Sequence, residues 1–122
     1  MIKLTKNRGD IMSKHEFGII DKISNDKHLY EEYEPNKYNC VSIHDDFITP
    51  ILKELMKINT FFHNTSRPEK GLAYCGITLI PPTSLIEFKQ IIDNFGVREL
   101  IPLSDKISEA ITLQKYMIHY GI

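Results

Sequence analysis

Apolar residues recur at helical spacing in three stretches of the chain. Ile48, Ile51, Leu52, Leu55 and Met56 predict an amphipathic helix ending near Asn59. Its start is marked by Asp45 or Asp46 as a cap, or by Thr49 ahead of Pro50. Leu85, Phe88, Ile91, Ile92 and Phe95 predict a second helix. Ser84 and Glu87 form a capping-box pattern at its start, and Gly96 is a natural stop. Ile107, Ala110 and Ile111 predict a third, from Ser104 through about Gln114.

The remaining apolar runs read as strands. In Tyr38 to Ile43, Val41 and Ile43 share one face, with Cys40 and Ser42 on the other. Ala73 to Ile80 is apolar on both faces, as in a central strand covered on both sides, and Pro81-Pro82 stops it. Residues 115–121 predict a last strand, and Glu16 to Ile20 a short first one. Residues 21–37 are charged and carry tyrosines, with a turn signal at Glu34-Pro35-Asn36. They read as an irregular arm over the core, with Tyr30, Tyr33 and Tyr38 packing their rings.

Two strand-to-helix units and a final helix-to-strand unit predict an α/β fold. The expectation is one layered domain of three to four strands, at least partly parallel, with about three helices. Cys40-Val-Ser-Ile43 and Gly76-Ile-Thr-Leu79 look alike, each leading into a capped helix.

Composition sharpens this picture. A chain of 122 residues, 42% hydrophobic and 25% charged, is that of a one-domain globular protein with a real core. Residues 1–11 are polar, basic and aperiodic, and Met12 reads as a fresh start. Arg8-Gly9-Asp10 translates back to a purine-rich run such as a ribosome-binding site. The expected organisation is therefore a disordered leader over 1–11 and a single domain over 12–122. Net charge is -1, or -3 from Met12 onward, because the leader holds three basic residues and one acid. The lysines are dispersed among acids, so the basic stripe of a nucleic-acid binder is missing.

Cys40 and Cys75 sit in apolar runs and read as buried reduced thiols. No secretory signal and no apolar run of membrane-spanning length is visible, which predicts a cytoplasmic protein without membrane contact.

Few patterns carry chemistry. There is no His-Glu-x-x-His, Cys-x-x-Cys, Gly-x-Ser-x-Gly or phosphate-binding glycine loop, so no metal site and no cofactor is expected. His44, with Asp45 or Asp46, offers a base and its orienting carboxylate at a strand end. His44, Asp46 and His63 are the catalytic candidates if they converge. His119 alternates with apolar neighbours and reads as a satisfied core or edge histidine. The segment from His63 to Gly71 gathers an imidazole, two hydroxyls, Arg67, Lys70 and the shape-setting Pro68 and Gly71. His63, Arg67, Lys70 and Gly71 are the binding candidates, for an anion or an acidic partner.

Several stretches together resemble a set of small uncharacterised proteins of low-GC Gram-positive bacteria. They are Lys14-His15-Glu16-Phe17-Gly18, Tyr33-Glu34-Pro35-x-Lys37-Tyr38-x-Cys40, Arg67-Pro68-Glu69-Lys70-Gly71-Leu72, Gly76-Ile77-Thr78-Leu79-Ile80-Pro81-Pro82 and Ile118-His119-Tyr120-Gly121. The resemblance covers most of residues 13–122. It implies a cytosolic bacterial setting and carries no activity. The functional expectation is a non-catalytic binding module for a protein partner or small anionic ligand, in one version an inhibitor or immunity-type protein. The alternative is a small enzyme with His44 or His63 as general base. Homodimerisation through an exposed strand edge is a third reading.

Overall fold

The computed structural model of the chain describes residues 13–25 and 27–122. The leader, the Met12 start and the Arg8-Gly9-Asp10 reading lie outside the described residues. In chain order the elements are β1 (Lys14–Ile19), β2 (Val41–His44), the single turn α1 (Leu52–Leu55), β3 (Asn59–Phe62), β4 (Pro68–Lys70), β5 (Ile77–Ile80), α2 (Leu85–Phe95), α3 (Ile101–Leu113) and β6 (Met117–Tyr120). The strands form one six-stranded sheet in the order β2-β1-β6-β5-β3-β4. Every pairing is antiparallel.

This corrects the expected α/β fold of three to four partly parallel strands. The reason lies in the connections. A single crossover helix returns a chain to start a parallel neighbour. Between β5 and β6 there are two helices, α2 and α3, packed on each other. Two passes bring the chain back at the opposite end, so β6 runs antiparallel to β5. Two strands were also missed. The helix expected over Ile48 to Asn59 is two 3₁₀ turns and the one-turn α1, and the chain enters β3 at Asn59.

One sheet face carries the helices. Phe17, Ile43, Ile80 and Met117 pack there with Leu85, Phe88, Ile92, Leu103 and Ile107. The other face presents Ile77, Leu79, Ile118 and Tyr120 to Ile20, Tyr30, Tyr33, Tyr38 and Cys40 of the following arm. The continuous apolar pattern of β5 is thus explained: it is central and covered on both sides, by helices and by an irregular arm. Tyr33 sets its ring edge-on to Tyr120 at 5.2 Å. Burial pushes the Tyr120 phenol well above its usual range.

Several local signals are realised differently. Gly96 does stop α2 in the left-handed conformation (φ 71°). Ser84 makes no capping-box bond; its hydroxyl donates to the Asn59 carbonyl at 2.6 Å and ties α2 to β3. Ser104 lies inside α3 and bonds Asp93 of α2 at 2.6 Å. Cys40 is half-buried and Cys75 exposed, and no disulfide joins them. No helix among the described residues is long and apolar enough to cross a membrane. The β4 edge is three exposed residues, Pro68, Glu69 and Lys70. A short edge with proline and charges discourages pairing with a second chain.

Candidate functional site

Of the segment His63 to Gly71 that the sequence singles out, the structure turns the first residues, His63 and Asn64, inward. His63 adopts φ 65°. Its carbonyl accepts from Tyr30 N–H at 2.7 Å, and its Nδ1 donates to the Tyr30 carbonyl at 3.1 Å. Buried Asn64 donates from Nδ2 to the His28 carbonyl at 2.8 Å and accepts from Ser66 N–H at 2.7 Å. These bonds latch the arm onto the sheet. Gly71 serves shape: it sits at φ 68°, where a Cβ would meet Met56 Sδ at 2.9 Å. Arg67 is exposed, and exposed Lys70 donates to Asn59 Oδ1.

The latch gives a first prediction. Asn64→Ala removes the two hydrogen bonds by which buried Asn64 holds the His28 carbonyl and Ser66 N–H, at about 0.5–1.5 kcal/mol each. Urea unfolding should show that loss, with faster proteolysis in the arm. Unchanged stability would show that the arm docks by apolar contact alone.

The catalytic candidates do not converge. His44 ends β2 and His63 follows β3, and three strands separate β2 from β3. At the usual strand spacing this is about 19 Å. His44 Nδ1 instead accepts from Asp46 N–H at 2.9 Å as a cap, with the Asp46 carboxylate 3.5 Å away. No group of three or more metal-binding side chains occurs among the described residues.

A different constellation is present. Residues 15 and 17 of β1, 117 and 119 of β6, and 78 and 80 of β5 share the helix-side face by strand alternation. His15, Thr78 and His119 therefore line up across three strands beside Phe17. All three are completely buried. The two imidazoles are nearly coplanar, 16° apart.

Their hydrogen bonds run in one direction. Thr78 Oγ1 accepts from Ala73 N–H at 2.8 Å and donates to His119 Nδ1 at 3.0 Å. His119 Nε2 donates to His15 Nδ1 at 2.9 Å. His15 Nε2 donates to Asp45 Oδ1 at 2.8 Å. Tyr74 O–H donates to the other Asp45 oxygen at 2.7 Å. All four ring nitrogens of the pair are thereby engaged; with the Asp45 carboxylate as a pure acceptor, two neutral rings would each carry hydrogen on Nε2.

Asp45 is the one charge at the mouth of this chain, 18% exposed. Burial pushes its carboxyl up. Hydrogen bonds from His15, Tyr74 and Thr49 outweigh that and hold it below the ordinary aspartate value. The same bond to Asp45, then burial, holds the Tyr74 phenol above its ordinary value.

An Asp–His pair was thus legible in part. The carboxylate is Asp45, but it orients His15 and not its neighbour His44. His119 is the satisfied core histidine expected. His15, Tyr74 and Thr78 were missed. The available signal was a histidine at an inward position of each of two strands; their meeting depends on register.

No family model, curated protein or solved structure matches the chain.

Proposed function

We propose that this protein is a cytoplasmic, non-catalytic binding module that meets a protein partner through its surface. The observation that supports this best is the engagement of all four imidazole nitrogens of His15 and His119. A general base needs a nitrogen within reach of substrate. Here both rings are fully buried and used. His44 and His63, the other candidates, each use Nδ1 for a cap or for the arm latch and stand three strands apart.

The partner we favour carries a basic surface, as the target of an inhibitor or immunity-type protein would. The arm forms a recess of about 360 Å³ lined by Glu31, Glu32 and Glu34, with Leu29 and Tyr38. Leu29 is 49% exposed. Lys37 lies 5.5 Å over the Tyr38 ring, so one cation is already seated on this wall. The arm is held by the latch before any partner arrives, which limits the ordering cost of binding. A small anionic ligand at Arg67 and Lys70 has less support, because His63 and Gly71 serve the fold.

The test is co-expression with the product of the adjacent gene in the source genome, followed by size-exclusion chromatography and titration. A stoichiometric complex is expected, weakened at least about tenfold by Glu31→Lys with Glu32→Lys. Undiminished affinity of that variant moves the interface elsewhere. Turnover of any substrate that depends on His15 or His44 overturns the non-catalytic reading.

A further inference from the structure

We infer that the His15–His119 pair is a proton-sensitive clamp that closes the 72–76 loop and the 45–47 turn over one end of the sheet. The chain of hydrogen bonds from Ala73 through Thr78, His119 and His15 to Asp45 ties together β1, β5, β6, that loop and that turn. The same loop holds the chain's end: Gly121 N–H donates to the Gly76 carbonyl at 2.8 Å, and Ile122 N–H to the Tyr74 carbonyl at 2.9 Å.

Hydrogen counting makes the clamp sensitive to protons. The Asp45 carboxylate only accepts, so His15 carries Nε2–H and, when neutral, accepts at Nδ1. A neutral His119 then donates from Nε2 and accepts the Thr78 hydroxyl hydrogen at Nδ1. A proton added to His15 Nδ1 faces the His119 Nε2–H at 2.9 Å. Relieving this moves the His119 hydrogen to Nδ1, and the Thr78 hydroxyl must turn from donor to acceptor. Two imidazolium rings would place two N–H groups against each other. The folded pair therefore holds at most one extra proton, and only by breaking the chain's polarity. The unfolded chain takes two, near the ordinary imidazole value of about 6.5.

The Asp45 carboxylate and the Tyr74 phenol face His15. On β1, Lys14 pairs in register with His44 of β2, and Glu16 accepts from Tyr33 on the other sheet face. Tyr120 lies on that other face too. From the helices, Phe88 reaches Phe17, while Lys106 of α3 pairs with Glu109 at 3.7 Å.

The sign follows from proton linkage. Well below about pH 6.5 the unfolded state binds at least one more proton than the folded pair. The folding constant then falls about tenfold per pH unit from this source. The experiment is long-range proton–nitrogen NMR of the imidazoles of the full chain, with amide exchange at Ala73 and Ile122. At about pH 7.5 both rings should carry hydrogen on Nε2 alone. Near about pH 5.5 those amides should exchange faster than intrinsic rates explain. An Nδ1–H tautomer on either ring at neutral pH overturns the proposal, as do two imidazolium rings in the intact fold under acid. Thermal melts of His119→Gln should lose one proton of pH dependence relative to the natural chain. If that variant does not fold, the tautomer measurement on the natural chain still decides.

Discussion

Gly18→Ala is expected to destabilise the protein by about 3 kcal/mol or more, at the upper end for overpacking. Gly18 is in the middle of β1, opposite Ile118 of β6. A Cβ there would sit 2.5 Å from the Tyr38 carbonyl oxygen and 2.7 Å from Cys40 Sγ. The first of these is backbone and cannot rotate away. The returning limb of the arm must lift, although Ile19 N–H bonds that same carbonyl at 3.2 Å. Lifting it uncovers Ile77, Leu79, Ile118 and Tyr120. Urea unfolding should show the loss, and limited proteolysis should cut within residues 21–37 well before the natural chain is touched. A variant with full stability and an intact arm would mean that the arm does not rest on β1 as described.

Asp45→Ala is expected to cost about 2–4 kcal/mol, because it strands a donor inside the protein. His15 Nε2–H is completely buried and has the Asp45 carboxylate as its acceptor at 2.8 Å. Tyr74 O–H loses the same partner, although it reaches solvent more readily. Asp45→Asn keeps an oxygen for His15 and should cost much less. The contrast separates the hydrogen bond from side-chain volume, and equal losses would refute it. Dependence on pH gives a second check. The folded carboxyl is held below its ordinary value. Its contribution is therefore complete above about pH 4 and is lost as pH falls through the lower folded value. Natural chain and Asp45→Ala should converge toward strong acid. At the alkaline end the Tyr74 phenol is held above its ordinary value. Its contribution is present below about pH 10 and is lost as pH rises further.

Elements with strong periodicity were legible in the sequence. The apolar faces of α2 and α3, the stop at Gly96, the buried central strand β5 and the terminal strand β6 all appear close to where the pattern places them. The arm and its tyrosines were legible too. What misled was the reading of strand followed by helix as a parallel crossover. Asn59-Thr-Phe-Phe62 was also too short a run to declare β3 beside a helix-like pattern. The site fared unevenly for the same reason. Asp45 and His119 drew notice from local context, whereas His15 looked like any residue of a short strand. The polar loop at His63 and Asn64 looked available to a ligand, and it is occupied by the chain's own backbone at His28 and Tyr30.

Hydrophobic periodicity and breaker residues act within a few residues, so the sequence alone set α2 and α3, their inward faces and the exclusion of charge from β5 and β6. Strand direction depends on how many helical passes separate two strands, which is a matter of packing. The Asp45–His15–His119–Thr78 chain depends on register across three strands, with His15 and His119 separated by 104 positions in sequence. Hydrogen bonds reach only about 3 Å. Groups that far apart in sequence meet only when the whole sheet has formed, and the folded sheet is what turned two scattered histidines into one network.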